Sequence, residues 1–390
     1  MKKVVLGEVC DFFNGGAWSD KEYVNEGIPV LKVTNCKSTG FQLDNLNYLS
    51  EKSREKYKKN NLIIGDVIVA TVGSHPNLIE SAAGRSCIVN SQVEGFYLNQ
   101  NAVCIRTKDK RILSQKYLGY LCKCADFQHY IQSRGRGAAN QMRIAISSIK
   151  EYSFTLPDFE NQQYIADILS AYDDLIENNQ KQIKLLEEVA QRLYKEWFVN
   201  LRFPGHENTK IVDGVPEGWH RGTIGQIAEF KRGRTITKAQ VKGGNVPVIA
   251  GGLEPAYYHN VANTKAPVIT ISASGANAGF VRLYGVDVFA SDCSFVDGLG
   301  TESLFFVYEF LKESKVSIDQ LQKGSAQPHV YAKDINAMKI TIPEKEYLER
   351  FDRYTKVLFD KIKTLQGQNE RLKIARNLLL PKLMSGEVEV

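Results

Sequence analysis

Apolar side chains recur at the spacing of one helical face between Pro157 and Asn200. No glycine or proline interrupts residues 160–198, where Ala, Glu, Lys, Leu and Gln dominate. Such a narrow seam predicts one long helix that pairs with another helix, although an amphipathic helix packed on its own domain would look similar. The first heptad positions are Ile165, Tyr172, Asn179, Leu186 and Leu193, and the fourth positions are Ile168, Leu175, Gln182 and Val189.

The chain repeats itself. LGEVCDFFNGG at 6–16 resembles IGQIAEFKRGR at 224–234, and GAANQMRIAISSIKEYSFTLP at 137–157 resembles GSAQPHVYAKDINAMKITIP at 324–343. Shared composition does not preserve order, so the sequence predicts a duplicated unit, each copy a globular domain followed by a long helix. The helix itself recurs at an offset of 186 residues, with seam positions Phe351, Leu358, Leu365, Leu372 and Leu379.

Within each half, short apolar runs bounded by turns predict strands, and residues 112–133 and 304–322 have helical spacing. We therefore predict an α+β fold of two tandem mixed domains, each followed by a long helix. The linker between the two units contains glycine, proline and polar residues, which predicts an extended connection. The predicted boundaries are 1–157 for the first domain, 158–200 for the first helix, 201–217 for the linker, 218–343 for the second domain and 344–390 for the second helix.

The net charge of +6 is unevenly distributed. Residues 1–157 carry 21 Lys and Arg against 14 Asp and Glu, and residues 218–343 carry 13 against 10, whereas residues 158–200 carry 4 against 9. Two basic domains joined by an acidic helix suit DNA contact at two places, although a small basic excess is common.

No stretch of the sequence has the pattern of a signal peptide or a membrane span. The seven cysteines lack metal-ligand spacing. We therefore expect reduced core cysteines in a cytoplasmic protein.

Motifs of the common enzyme classes are missing from the sequence. It contains no P-loop, no G-x-S-x-G and no Pro-Pro pair of the kind that adenine methyltransferases use. Asp158 lacks the nearby lysine of a metal nuclease and is expected to cap the helix that follows it. We therefore expect a binding protein with no catalytic residue and no metal site. The alternatives are a metal-dependent nuclease with scattered carboxylates and a protein-binding adaptor.

Three loops in each half combine glycine turns with side chains that bind phosphates and read bases. For a single loop residue a solvated turn is the alternative, but the third loop is the strongest candidate because it concentrates Arg, Asn and Gln. The candidates in the first half are Asn14, Trp18, Ser74, His75, Asn77, Arg134, Arg136, Asn140, Gln141 and Arg143. Those in the second half are Lys231, Arg232, Arg234, Thr235, Ser272, Ser274, Asn277, Lys323, Ser325, Gln327 and His329.

The helix endings LYKEWFVNLRFPGH at 193–206 and LLLPKLMSGEVEV at 378–390, together with the loops around Gln141 and Gln327, resemble the specificity subunit of type I restriction-modification systems. The resemblance covers essentially the whole chain. It implies a non-catalytic subunit in which each half is a target recognition domain that reads one half of a split double-stranded DNA site. It also implies that the long helices pack together and hold those domains apart.

The same resemblance implies partners. The subunit binds two methyltransferase subunits, which use S-adenosylmethionine, and through them two ATP-dependent motor/nuclease subunits. We therefore expect S-adenosylmethionine, ATP and Mg on those partners and no cofactor on this chain. The candidates for binding the methyltransferases are Tyr172, Asp173, Asp174, Tyr194, Trp197 and Phe198, although the aromatic ones would equally seal the helix onto its neighbouring domain.

Two equivalent helices of one chain can form an antiparallel coiled coil with pseudo-twofold symmetry. This pairing predicts Ile165 near Leu379 and Asn179 near Leu365. Asn179 is expected to cost stability and to fix the register. Because a helix advances about 1.5 Å per residue, the length of the pair is expected to set the distance between the two half-sites.

Overall fold

The computed structural model describes residues 2–37, 40–43, 46–74, 83–137, 142–324 and 327–388. It divides into two compact units, and neither is a continuous stretch of chain. Unit 1 comprises Met1–Ile176 with Glu370–Val390, and unit 2 comprises Glu177–Asn369. The division therefore falls inside both long helices, whereas the predicted domain boundaries lie outside them.

Unit 1 is a mixed α+β domain of short strands. Its helices are α1 (Leu6–Val9), α2 (Gln115–Lys123), α3 (Ala125–Ser133) and α4 (Ile146–Lys150), followed by α5 (Phe159–Tyr194), which continues into unit 2. Its strands are β1 (Lys2–Val5), β2 (Cys10–Asn14), β3 (Tyr23–Val24), β4 (Ile28–Leu31), β5 (Cys36–Lys37), β6 (Gly40–Phe41), β7 (Asn47–Leu49), β8 (Val67–Ala70), β9 (Val72–Gly73), β10 (Ser86–Ile88), β11 (Tyr97–Leu98), β12 (Ala102–Thr107), β13 (Met142–Arg143) and β14 (Ser153–Leu156).

Unit 2 has the same kinds of element. Its helices are α6 (Leu304–Glu313), α7 (Lys315–Gln320), α8 (Ala332–Asn336) and the first part of α9 (Lys345–Ser385), whose end belongs to unit 1. Its strands are β15 (Ile211–Val212), β16 (Val215–Pro216), β17 (His220–Thr223), β18 (Lys231–Arg232), β19 (Val246–Ile249), β20 (Tyr257–His259), β21 (Val268–Ser272), β22 (Val281–Tyr284), β23 (Phe289–Ala290), β24 (Cys293–Asp297) and β25 (Lys339–Ile342).

The two units share one topology. The main sheet has the order β10-β8-β12-β2 in unit 1 and β22-β21-β24-β18 in unit 2, with every neighbouring pair antiparallel. Each unit also has one parallel pair, β4 with β11 and β19 with β23. The first and last strands of unit 1 also pair, β1 with β14, and in unit 2 the first strand after the β15–β16 hairpin pairs with the last, β17 with β25. The α+β fold and its duplication are confirmed.

A fully buried strand lies in the core of each unit. All four residues of β8 and all five of β21 are buried. In unit 1 the apolar face of α2 covers this sheet, with Tyr117, Leu118 and Leu121 in the same core. Fully burying one such aliphatic side chain contributes about 1.5–3 kcal/mol. All seven cysteines are buried, as predicted.

Three local predictions were wrong. The single helix predicted over 112–133 is broken at Cys124, whose extended backbone ends α2. The helix predicted over 304–322 is broken at Ser314, whose backbone, with φ −87° and ψ 19°, is neither α-helical nor extended. The linker is not simply extended, because Phe203 is buried against Trp219, with ring centroids 4.7 Å apart, and residues 211–216 form a hairpin. Apolar spacing alone does not reveal these breaks.

The long helix α5 begins at the predicted place because the Asp158 carboxylate accepts a hydrogen bond from the Asn161 backbone N–H at 2.8 Å. Its predicted fourth heptad positions were wrong by one residue. Leu175 and Val189 are each 52% exposed, whereas the residues that follow them, Ile176 and Ala190, are buried. Steps of three and four residues both maintain a seven-residue repeat, and the sequence does not distinguish them.

In unit 1, the first part of α5 lies against the last part of α9. Ile165 and Leu169 share a core with Leu383, and Leu379 packs against it. The Asp173 carboxylate accepts a hydrogen bond from the Tyr120 hydroxyl at 2.8 Å and also pairs with Arg376. Burial opposes ionisation of Asp173, but the positive charges of Lys123 and Arg376 outweigh it and lower its pKa.

In unit 2, the rest of α5 lies antiparallel to the first part of α9. The Asn179 amide donates a hydrogen bond to the Asn369 amide oxygen at 2.9 Å, and these side chains are only 7% and 5% exposed. The predicted neighbour was Leu365, so the register differs by four residues, about one helical turn. Two buried amides that satisfy each other explain this register better than an amide placed against leucine.

The end of α5 and the π-helical turn Lys195–Val199 that follows it carry aromatic side chains that belong to the core of unit 2. Trp197 packs edge-on against Phe351 at 6.0 Å, and Phe198 packs against Phe306 at 4.8 Å. Tyr194 is buried in the same cluster. Of the two roles considered for these aromatic residues, the structure supports sealing the helix onto the neighbouring second domain, which follows it in the chain.

One buried and one half-buried carboxyl group lie close to this cluster. Glu309 on α6 is only 2% exposed, and burial raises its pKa to about 8. Asp352 on α9 accepts hydrogen bonds from the backbone N–H groups of Phe305 and Phe306, at 3.3 and 2.9 Å, and caps α6. Burial raises the pKa of Asp352 to about 7, although these hydrogen bonds favour the ionised form.

We predict that Asn179→Ala destabilises unit 2 by about 1–3 kcal/mol, because it leaves the buried Asn369 amide without its partner. The measurement is the midpoint of chemical denaturation. The control is Asn178→Ala at the exposed neighbouring position, which should change stability by less than about 0.5 kcal/mol. Equal effects of the two substitutions would show that the buried amide pair does not stabilise the helix pair.

We also predict that unit 2 loses stability as the pH rises from about 5 to about 8. The folded state holds the Glu309 proton more tightly than the unfolded state does, since the folded pKa is about 8 and an unfolded glutamate titrates near about 4.3. Glu309→Gln should flatten this dependence and stabilise the protein at pH 8. Thermal unfolding at several pH values measures it, with the exposed Glu346→Gln as the control. Parallel curves for wild type and Glu309→Gln would contradict the assignment.

Candidate nucleic-acid interface

In unit 1, the first two candidate loops emerge at one edge of the main sheet. Asn14, at the end of β2, pairs with Val103, and Ala70, at the end of β8, pairs with Ala102. Because β2 and β8 both run antiparallel to β12, the carboxyl ends of these two strands lie beside the start of β12. The Thr71 backbone N–H donates to the Asn101 carbonyl at 2.9 Å and ties the second loop to this edge.

The third loop of unit 1 joins the same edge through backbone hydrogen bonds. Arg143 lies opposite Val72 in the β9–β13 pair. The backbone N–H groups of Arg136 and Arg143 each donate to the other residue's carbonyl, at 2.9 and 2.8 Å. Both arginine side chains are exposed. Residues far apart in the sequence are therefore held side by side.

Unit 2 repeats this edge with different side chains. Arg232 of β18 lies opposite Ser294, and Ser272 of β21 lies opposite Cys293, so the first two loops again flank the start of β24. The Ala273 backbone N–H donates to the Asp292 carbonyl at 3.2 Å. This hydrogen bond corresponds to that between Thr71 and Asn101 in unit 1.

The third loop of unit 2 is also closed by a reciprocal backbone pair. Lys323 and His329 each donate an N–H to the other's carbonyl at 2.9 Å. The Gly275 N–H donates to the Pro328 carbonyl at 3.1 Å, which joins the third loop to the second. The His329 ring stacks on Tyr331 with centroids 6.1 Å apart. Both units thus assemble the three loops at one sheet edge by the same contacts.

The structure places the predicted residues unevenly. The exposed ones are Asn14, Arg134, Arg136, Arg143, Lys231, Arg232, Arg234, Thr235, Lys323 and Gln327. The half-buried ones are Ser74, Ser274, Asn277 and His329. His75, Asn77, Asn140, Gln141 and Ser325 lie outside the described residues.

Two candidates are corrected by their burial. Trp18 is only 8% exposed and belongs to a core cluster, where its indole N–H donates to the Tyr23 hydroxyl at 3.0 Å. The Ser272 hydroxyl is buried and donates to the Gly251 carbonyl at 3.2 Å. Both side chains maintain the loops from inside and have little surface to offer a ligand. The sequence alone does not show whether the side chain of a tryptophan beside a glycine turn packs inward or faces solvent.

The exposed cations differ in their pairing. The Arg134 guanidinium lies over the Tyr130 ring at 4.3 Å. Lys323 pairs with Asp334 at 2.8 Å, and Arg232 lies 3.9 Å from Asp292. Within the described residues no carboxylate pairs with Arg136 or Arg143. Their guanidinium groups are suited to bind phosphate oxygens or guanine.

The sequence did not point to the residues that precede β12 in unit 1 and β24 in unit 2, which the structure places at the loop edge. In unit 1 these are Gln100, which is exposed, and Asn101, which is half-buried. The Gln100 side-chain oxygen accepts a hydrogen bond from the buried Asn99 amide at 2.7 Å. In unit 2 the corresponding residue is Asp292. The three consecutive amide side chains Asn99, Gln100 and Asn101 were a sequence signal for hydrogen bonding to bases, but only the strand order shows that they lie at the loop edge.

Among the residues that the structure describes, no group of three or more His, Cys, Asp and Glu side chains is arranged to hold a metal ion. In that same part of the chain, no helix is both long and apolar enough to cross a membrane. The arrangement is one of hydrogen-bond donors, acceptors and cations on two similar surfaces.

Comparison with known proteins agrees with this description. The model of the type I restriction modification DNA specificity domain matches residues 1–188 and 216–373, one copy in each half. The type I restriction enzyme MjaIX specificity subunit of Methanocaldococcus jannaschii is 28% identical over 70% of this chain and 69% of its own length. The HindI specificity subunit of Haemophilus influenzae is 21% identical over 96% of each chain.

A solved structure shows the same fold. The crystal structure of a type I restriction-modification system S subunit from M. genitalium superposes with a TM-score of 0.57 at 18% identity, covering 98% of this chain and 95% of that one. None of these similarities supports the nuclease or the adaptor alternative. Two family matches span most of the sequence, and the duplicated fold agrees with them. The chain therefore belongs to the type I restriction modification DNA specificity domain family.

Proposed function

We propose that each unit reads one half of a bipartite double-stranded DNA site and that the helix pair sets the spacing between the halves. Family membership makes the chain a DNA specificity subunit, whose contribution is recognition rather than catalysis. The observation that carries the proposal is the three-loop edge. This edge occurs once in each unit, on corresponding strands and with corresponding backbone contacts, but with different side chains.

The charges of the two edges support DNA as the ligand. Arg136 and Arg143 project from the edge in unit 1, and Lys231, Arg232 and Arg234 project from it in unit 2. Phosphate contacts from such side chains would supply salt-dependent affinity, and the amides and hydroxyls between them would supply sequence preference. Because the side chains differ between the units, we expect the two half-sites to differ in sequence.

The helix pairing supports a fixed spacing. Within unit 2 the buried amides of Asn179 and Asn369 bond to each other only in one register of the two helices, so they select that register. A residue inserted into one helix alone would separate them, so a change of spacing requires matched insertions in both helices. The expected dependence of the half-site distance on the length of the pair therefore applies to both helices together and not to either one alone.

We further propose that the exposed faces of the long helices bind two methyltransferase subunits. Apolar side chains that the helix pair leaves exposed support this assignment, among them Leu175, Leu185, Val189, Ile374 and Leu378. The acidic Asp174 is exposed on the same helix as the first three. S-adenosylmethionine, ATP and Mg would then belong to the methyltransferases and to the motor/nuclease subunits that they recruit.

We predict that Arg143→Ala weakens binding of the methyltransferase complex to its target by about 1–3 kcal/mol. The substitution removes a cation from the loop edge but preserves the backbone pair of β9 and β13. Competition binding against targets altered one position at a time measures the loss. A base contact would relax one position of one half-site, whereas a phosphate contact would lower affinity for all sequences and reduce the salt dependence.

The matched control is Arg111→Ala. Arg111 is in the same unit and its side chain is 90% exposed, but it follows the opposite end of β12. This variant should bind DNA like wild type. If Arg143→Ala also bound like wild type, the three-loop edge of unit 1 would not be the DNA-binding surface.

A further inference from the structure

Asp292 is an acidic residue at the centre of a basic surface. It immediately precedes β24, and Lys231, Arg232 and Arg234 of the first loop lie on the neighbouring strand and the turn after it. The Gly233 N–H donates to the Cys293 carbonyl at 2.8 Å, so the first loop passes directly beside it. A carboxylate at this place would repel DNA phosphates, so its presence calls for a compensating contact.

Its two oxygens are held in a fixed position. One accepts a hydrogen bond from the Ser274 hydroxyl, and the other lies 3.9 Å from an Arg232 guanidinium nitrogen. The side chain remains 35% exposed. A carboxylate has about four lone-pair sites, so these partners leave acceptor capacity towards the surface.

The only groups on base edges that can donate to such an acceptor in the major groove are exocyclic amino groups. A carboxylate characteristically accepts from N4 of cytosine, whereas side-chain amides pair with N6 and N7 of adenine. The corresponding position of unit 1 carries Gln100 and Asn101 and no acid. The same place in the duplicated fold therefore has a different hydrogen-bonding character in each unit.

We propose that Asp292 is a base-reading residue of unit 2, which accepts a hydrogen bond from the N4 amino group of a cytosine in the half-site that this unit binds. The inference rests on the proposed function and deepens it. Ser274 and Arg232 act as positioning residues that orient the carboxylate. The start of the central strand is thus a specificity position in its own right, in addition to the three loops.

The test compares wild type, Asp292→Asn and Asp292→Ala in the assembled complex with the methyltransferase subunits. Each is incubated with S-adenosylmethionine and a DNA library randomised in both half-sites, and the methylated sequences are read out. At one G·C position of one half-site, Asp292→Ala should lose the cytosine preference by about tenfold. Asp292→Asn should shift that position towards adenine, because an amide pairs with N6 and N7. The other half-site should be unchanged.

Glu302→Gln is the matched control, because Glu302 is an exposed acid of unit 2 that pairs with Lys345 and follows the opposite end of β24 from Asp292. It should leave every position unchanged. A uniform change at all positions on Asp292→Ala would overturn the inference, since it would mean that the carboxylate only repels phosphates or holds Ser274. A half-site without any G·C pair, or unchanged preferences in both variants, would also overturn it. If wild type itself gave no split consensus, the proposed function would fail instead.

Discussion

The structure depends on the antiparallel contact of α5 with α9 inside each unit. Unit 1 is incomplete without the end of the chain, because Leu383 is buried in the same core as Ile165 and Leu169. Unit 2 likewise includes the second part of α5 and the π-helical turn Lys195–Val199 after it, where Trp197 is buried against Phe351. The buried amide pair of Asn179 and Asn369 then selects one register among those that an apolar seam would tolerate. Neither domain is therefore expected to be stable without both helices.

Much of the fold follows from the sequence, because its largest features are periodic or repeated. The long helices, the duplication and the buried strands β8 and β21 all have patterns that few other structures share. The register of the helix pair has no such pattern in the sequence. Leu175 and Ile176 are both apolar, and only the structure shows that Ile176 faces inward. Unit boundaries were missed for a related reason: a core assembled from both ends of the chain has no local signal.

The candidate site was predictable in its loops but not in its side-chain directions. Arg136 and Arg143 were found because a cluster of basic residues stands out in sequence, and the strand pairing brings them together. Trp18 was wrongly expected at the surface, because a glycine-rich turn gives no information on whether the following aromatic ring packs inward. Gln100, Asn101 and Asp292 were overlooked because their relevance comes from strand order, which joins positions remote in sequence.

The central claim is that the two units read DNA independently at a spacing fixed by the helices. The most direct measurement is to exchange residues 201–343 for those of a relative with a different target and to sequence the methylated sites of the assembled complex. This segment keeps Phe203 together with its packing partner Trp219. The account predicts that one half-site changes while the other half-site and the spacer length are retained. A change in both half-sites would contradict it.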